Sequence, residues 1–181
     1  MLKKLERLFL YGVFIGYMML LIKIFFLSRV SVLELFDSQR TIVRSINLIP
    51  FNSISEYLMG SSERAKKFAS ANVAGNILIF VPLGGYLSLF KNQTRAVHNL
   101  LFICLASLVV EITQWGLGIG AADIDDLLLN GLGGWMGILG YKALLFLLRE
   151  EKRVHTAIAV LSAIVVLPAI YYYLFMIKMR L

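Results

Sequence analysis

The sequence predicts an all-α polytopic membrane protein, a bundle of about five transmembrane helices with a long loop between helices 1 and 2. Three observations predict this fold class. Of the 181 residues, 59% are hydrophobic and only 16% are charged, whereas a soluble domain carries about 25% charged residues. The mean hydropathy is +0.79. The apolar residues also fall into five stretches that approach the roughly 20 residues a helix needs to cross a bilayer.

We expect these stretches to form one domain over residues 1–181. They cover approximately residues 8–27, 72–90, 97–117, 127–148 and 154–177. Helices satisfy their own backbone hydrogen bonds in lipid, which favours helices over open strands. The first stretch is longer than the apolar core of a signal peptide, and no small-residue cleavage site follows it, so we expect a retained helix.

Two further features of the helices carry structural expectations. Lys23 and Lys142 lie near helix ends, where a lysine ammonium group is expected to snorkel to the membrane interface. Two pairs of glycines are spaced four residues apart, a pattern that allows close helix packing. These pairs are Gly12 with Gly16 in helix 1 and Gly133 with Gly137 in helix 4.

The composition excludes several classes of protein. Cys104 is the only cysteine, so the chain forms no internal disulfide and carries no cysteine-based metal cluster. The net charge is +7, but basic residues that flank membrane helices are attracted by anionic lipid headgroups. No nucleic-acid-binding motif is present. The expected partner of the basic charge is therefore the lipid bilayer, with no role for nucleic acid.

The short loops predict the orientation in the membrane. Lys91 and Arg95 lie between helices 2 and 3, and three basic residues beginning at Arg149 lie between helices 4 and 5. The loop over residues 118–126 has no basic residue and three aspartates. The positive-inside rule then places the amino terminus in the cytoplasm and loop 3 outside. The long first loop carries further basic residues on the outer side, and we give the short loops more weight.

The first loop, residues 29–71, is too long for a simple turn. Residues 53–56 have the spacing of a capping box, which predicts a short helix that Gly60 ends. The preceding run over residues 47–51 is apolar and contains Pro50, which suits an extended segment at the membrane interface. One interpretation is a solvated connector that dips its apolar residues into the headgroups. The other is a lid or re-entrant element over the helix bundle.

Polar residues in three helices are predicted to lie near one membrane face. Asn72 and Asn76 share a face at the start of helix 2, because they are four residues apart. Glu111 and Gln114 lie near the end of helix 3, and Glu111 is about 9 Å from that end. Helix 3 runs opposite to helices 2 and 4. The end of helix 3 therefore meets the starts of the other two.

The third set of polar residues lies in loop 3 and the first turns of helix 4. It consists of Asp123, Asp125, Asp126 and Asn130. Helix capping and interhelical hydrogen bonds account for several of these residues without any ligand. They do not account for Glu111, which needs a partner, a proton or water in the membrane. Arg44 and Gln114 are its two candidate structural partners.

Four segments resemble the signatures of the VanZ-like family, in the same order and spacing, over residues 44–140. They are residues 44–51 (RSINLIPF), 76–84 (NILIFVPLG), 111–114 (EITQ) and 123–134 (DIDDLLLNGLGG). The family often has an arginine shortly before its aspartate run, where this chain has Ala121 and Ala122. The resemblance implies a small multi-helix bacterial membrane protein. Its namesake confers resistance to the glycopeptide teicoplanin.

The motifs and the polar residues together define a candidate ligand-binding set, with no catalytic residue assigned. It consists of Arg44, Asn47, Asn76, Glu111, Gln114, Asp123, Asp125, Asp126 and Asn130. We expect no cofactor. Mg²⁺ held by the aspartates with Asn76 or Asn130 is an alternative, because magnesium prefers hard oxygen ligands.

Three classes of function follow from these features. The first is a resistance factor that reduces access of teicoplanin-type antibiotics or modifies the cell envelope through a polar pocket near the outer membrane face. Its ligand would be a lipid-linked cell-wall precursor or a lipoglycopeptide. The second is a membrane enzyme that acts on a lipid-linked envelope substrate. The third is a structural or regulatory membrane subunit of unspecified oligomeric state, in which the polar residues only hold the helices together.

Overall fold

The computed structural model describes residues 2–31, 33–37, 39–52, 55, 59, 62–90 and 96–176. Within these residues, five helical segments are long and apolar enough to cross a membrane, which confirms the predicted fold class. The spans are Lys4–Leu27, Ala69–Phe90, Ala96–Leu117, Ile124–Leu148 and Glu151–Met176. The predicted capping box over residues 53–56 and the helix end at Gly60 lie outside the described part of the chain.

Four helices and a composite fifth segment make up these spans. The first four are α1 (Leu2–Ile22, continued by a π-helical turn over Lys23–Leu27), α2 (Glu63–Phe90), α3 (Ala96–Leu117) and α4 (Ile124–Leu148). The fifth combines α5 (Glu151–Leu161), a π-helical turn (Ser162–Val166), α6 (Leu167–Tyr171) and a second π-helical turn (Tyr172–Met176). α2 begins at Glu63, whereas its membrane span begins at Ala69. The first turns of α2 therefore carry charged residues that precede the span.

The long first loop contains a strand that the sequence pattern did not predict. β1 (Val43–Asn47) pairs in parallel with β2 (Ile119–Asp123), which follows α3 directly. The register aligns Val43 with Ile119 and Asn47 with Asp123. These ten positions form a small two-stranded sheet within segments that were predicted to be loops of the helical bundle. Each strand is five residues long, and its pairing depends on a partner far away in the sequence.

The chain divides into two compact units. One contains Met1–Thr41 and Lys142–Leu181, and the other is Ile42–Tyr141. In the first unit, α1 packs against the composite fifth segment, and a Cβ at Gly16 would lie 3.5 Å from the Ile170 side chain. A Cβ at Gly12 would meet nothing within 4 Å. Of the predicted glycine pair in helix 1, only Gly16 lies at a helix contact.

The second unit is organised around a direct backbone contact between α2 and α4. A Cβ at Gly133 would lie 2.1 Å from the carbonyl oxygen of Ile77, and one at Gly137 would lie 2.0 Å from that of Val81. These glycines let the two helices approach more closely than any side chain would permit. The four-residue spacing predicted close packing here, and the structure identifies α2 as the partner.

Lys23 does not snorkel, contrary to the sequence prediction. Its side chain is buried in the first unit and donates hydrogen bonds to the backbone carbonyls of Tyr173 and Leu174, the latter at 2.9 Å. Basic side chains in the last turns of a helix can hydrogen-bond to its backbone carbonyls. Lys142 is exposed, as a snorkelling lysine would be.

We expect Lys23→Ala to lower the stability of the protein in detergent, because it removes a buried side chain and its hydrogen bonds to two backbone carbonyls. The expected cost is about 1–3 kcal/mol. Thermal unfolding of the purified protein measures it. Lys142→Ala is the matched control and should change stability by less than about 0.5 kcal/mol. Equal melting temperatures for the two variants would contradict the buried contact.

Candidate functional site

The candidate site lies where α3 ends, β2 follows it and α4 begins. α3 ends at Leu117, and Gly118 adopts a left-handed φ of +64°. Glycine is favoured there because it carries no Cβ, and a Cβ would lie 2.6 Å from the Ile42 side chain. This turn sends the chain directly into β2.

All nine candidate residues lie in the second unit, and we refer to eight of them as the polar cluster. These eight are Asn47, Asn76, Glu111, Gln114, Asp123, Asp125, Asp126 and Asn130.

Asp123 joins the strand pair to α4. One of its carboxylate oxygens accepts a hydrogen bond from the backbone N–H of Asp125 at 2.9 Å, which caps the start of the helix. The other accepts from the side-chain amide of Asn47 at 3.2 Å. Asn47 is aligned with Asp123 in the strand register. The cap was predicted from spacing, whereas the link to Asn47 depends on the strand pairing.

Glu111 is buried on α3, and its carboxylate accepts a hydrogen bond from a backbone N–H that neither sequence alternative named. Only 4% of the residue is exposed, and its carboxylate accepts from the backbone N–H of Asp123 at 3.0 Å. Burial of a carboxylate is costly unless it is hydrogen-bonded, so this bond helps to hold the end of β2 against α3. Gln114 is buried about one turn further along the same helix.

Asp125 ties the first loop to α4. The residue is fully buried, and its carboxylate accepts from the backbone N–H of Phe51 at 2.5 Å. Phe51 has a φ of 68°, a left-handed conformation that non-glycine residues rarely adopt. The hydrogen bond holds this unfavourable backbone in place. No sequence pattern indicates Phe51 as a donor, because the contact comes from its backbone rather than its side chain.

Asp126 lies between the two asparagines of α2. Its carboxylate accepts from the side-chain amide of Asn76, and the amide of Asn72 approaches the same oxygen at 3.5 Å. Because the asparagines are four residues apart, both side chains face the same carboxylate of α4. Asn72 lies outside the candidate set, yet it contributes to this contact.

Asn130 lies one turn after Asp126 on α4, and Ser107 lies one turn before Glu111 on α3. Both residues are fully buried, and the Asn130 amide donates to the Ser107 hydroxyl at 2.8 Å. The Asn130 carbonyl oxygen is also buried and has no hydrogen-bond partner among the described residues. The polar face of α4 thus contacts α2 at Asp126 and α3 at Asn130.

Arg44 lies at the end of α3, where its observed contacts are not with carboxylates. Its guanidinium donates to the backbone carbonyl of Gly116 at 2.9 Å and lies 5.7 Å from the centre of the Trp115 ring. The side chain is exposed. Trp115 was not among the predicted residues, although an aromatic residue at the end of a membrane helix is a recognised interfacial signal.

The arrangement offers hydrogen-bond acceptors from four carboxylates beside the amides of asparagine. Such groups can bind hydroxyl and amine donors of a polar ligand. In the part of the chain that the structure describes, no group of three or more His, Cys, Asp or Glu residues is arranged to hold a metal ion.

Comparison with known proteins gives one family and one curated relative. The VanZ/LLP1 family model matches residues 14–149, a range that includes all nine candidate residues. Protein VanZ of Enterococcus faecium is 27% identical over 118 residues, which cover 65% of this chain and 63% of that protein. The chain thus aligns with less than two thirds of this relative. No solved structure matches the chain.

Proposed function

The chain belongs to the VanZ/LLP1 family, and from that premise we propose that it lowers the susceptibility of the cell to teicoplanin-type glycopeptides. The observation that carries this proposal is the similarity to Protein VanZ together with the family match over residues 14–149. The five membrane spans make the chain a multi-pass membrane protein. Its action is therefore expected at the membrane, where lipid-linked cell-wall precursors and lipoglycopeptides meet the protein.

The polar cluster is the part of the molecule that we assign to ligand binding. Its carboxylates would accept hydrogen bonds from the hydroxyl and amine groups of a headgroup or glycan, while lipid-facing helix surfaces contact the acyl chain. The burial of Glu111 and Asp125 supports this assignment, since buried carboxylates are costly and are kept in membrane proteins mainly at functional positions.

The proposed orientation places the amino terminus in the cytoplasm and the polar cluster at the outer face. It is supported by the basic residues of the short loops after α2 and α4, in contrast to the uncharged and acidic run over residues 118–126. Positively charged short loops are retained on the cytoplasmic side. In this orientation the cluster faces the leaflet from which glycopeptides approach.

We expect expression of the protein in a susceptible host to raise the inhibitory concentration of teicoplanin, and Glu111→Gln to abolish most of that increase. The variant removes the charge but keeps the shape of a side chain that accepts from the Asp123 backbone. Inhibitory concentrations of teicoplanin and vancomycin are measured at equal membrane levels of each protein.

Glu63→Gln is the control, because Glu63 is exposed at the start of α2. It should protect as well as the parent chain. Unchanged teicoplanin susceptibility with the parent protein would refute the proposed function. Full protection by Glu111→Gln would refute the assignment of the cluster while leaving the function intact.

A structural or regulatory membrane subunit is the second candidate. It is favoured by the hydrogen bonds that join the cluster carboxylates to the protein itself, such as Asp126 to Asn76 and Asp125 to Phe51. In that case Glu111→Gln and Asp126→Asn would lower stability and protection together. A variant that inserts and folds normally but gives no protection would exclude a purely structural role.

A further inference from the structure

We propose that residues 46–51, termed the interfacial segment, insert into the acyl-chain region of the leaflet next to the polar cluster, with Arg44 at the headgroup level. This insertion does not depend on which ligand the cluster binds.

α3 carries one apolar stripe that faces outward along the whole helix. Its members recur every three or four residues and are between 39% and 59% exposed. They are Leu101, Leu105, Leu108, Ile112 and Trp115. Because α3 is a membrane span, an exposed apolar stripe of this kind contacts acyl chains. Trp115 is its last member and marks the level where the acyl chains meet the headgroups.

β1 lies beside the last turns of α3, because Arg44 donates to the backbone carbonyl of Gly116. The Arg44 guanidinium lies over the Trp115 ring, and Ile46 is on the same face of the strand as Arg44, because alternate residues share a face. Asn47 is on the opposite face, where it donates to Asp123. β1 therefore presents one face to the lipid side of Trp115 and the other to the polar cluster.

The residues that follow the strand are apolar and outward-facing, although they lie outside the five membrane spans. Leu48, Ile49 and Phe51 are between 61% and 71% exposed, and Ile46 is 58% exposed. No charged residue occurs from Ser45 to Asn52. Contiguous apolar surface of this kind marks a contact with membrane or protein. The continuity with the lipid-facing stripe of α3 identifies the membrane as the partner.

The Phe51 backbone fixes the far end of the segment. Its N–H donates to the buried carboxylate of Asp125, so the segment is attached to α4 at one end and to β2 at the other. A segment held at both ends beside the last turns of α3 stays at the membrane face where that helix ends. Its apolar side chains can then enter the leaflet without any helix moving.

A spin label at position 48 tests the proposal. In a Cys104→Ser background, Leu48→Cys is labelled and the protein is placed in nanodiscs of phosphatidylcholine and phosphatidylglycerol. Collision rates with oxygen, which concentrates in the acyl chains, and with a water-soluble nickel chelate are then measured. We expect the Leu48 label to behave like one at Ile112, the lipid-facing control. Gln39→Cys provides the exposed loop control.

A label at position 48 that collides mainly with the nickel chelate, as at Gln39, would overturn the proposal. A label shielded from both reagents would also overturn it and would indicate a protein partner or a second copy. Hydrogen–deuterium exchange of the unaltered chain in the same nanodiscs gives a measurement free of substitutions. The informative amide is that of Leu48, because Pro50 has no amide hydrogen and the N–H groups of Ile49 and Phe51 are already hydrogen-bonded. Slow exchange at Leu48 supports insertion, and fast exchange contradicts it.

Discussion

Gly137→Ala should destabilise the protein by about 1–3 kcal/mol, the usual cost of forcing extra volume into a well-packed contact. The new Cβ would lie 2.0 Å from the carbonyl oxygen of Val81 and 2.9 Å from the backbone nitrogen of Gly85. Neither atom belongs to a flexible side chain, so α2 and α4 must move apart. Equilibrium unfolding in mixed micelles measures the effect.

Gly140→Ala is the matched control on the same helix. Position 140 is exposed, and a Cβ there would meet nothing within 4 Å. Alanine favours a helix over glycine by about 1 kcal/mol, so this variant should be neutral or slightly stabilising. If Gly137→Ala were as stable as Gly140→Ala, the backbones of α2 and α4 would not be in contact.

Asp125→Ala should cost about 1–3 kcal/mol, because the Phe51 N–H loses its acceptor. Without this bond, the left-handed backbone of Phe51 has less to hold it, and the chain near it should loosen. We expect faster proteolysis within residues 39–52 as well as a lower unfolding free energy. Limited proteolysis in nanodiscs and equilibrium unfolding measure the two effects.

Glu63→Ala is the matched control for Asp125→Ala. It measures how much stability an exposed acidic residue contributes at the start of a helix, without a buried contact. Glu63 and Asp125 both lie in the first turn of a helix, but Glu63 is exposed. Loss of a carboxylate near a helix amino terminus costs about 0.3–1 kcal/mol. If Asp125→Ala costs no more than Glu63→Ala, and the loop is cleaved no faster, the bond to Phe51 contributes nothing.

Much of the polar cluster could be anticipated from local spacing. Asn72 and Asn76 are four residues apart, as are Asp126 and Asn130, so each pair shares a helix face whatever the tertiary structure. The direction of each span then placed these faces at a common end. The Asp123 cap on α4 also follows from neighbouring residues.

The partners within the cluster could not be anticipated in the same way. Glu111 accepts from the Asp123 backbone, and Asp125 accepts from the Phe51 backbone. A backbone N–H is present at every residue except proline, so no residue type in the sequence distinguishes these two. Lys23 is a similar case. Its position near a helix end predicted an exposed side chain, whereas the side chain is buried and donates to the backbone carbonyls of Tyr173 and Leu174.

The sequence by itself determined the five membrane helices. The length and hydropathy of an apolar run are local properties, and they decide whether the run can cross the bilayer as a helix. The sequence also determined the glycine spacing of α4 and the polar faces of α2, α3 and α4. Only the tertiary structure decided the parallel pairing of β1 with β2 and the contact of α4 with α2. Those depend on which distant segments meet, and two strands of five residues carry too little pattern to specify each other.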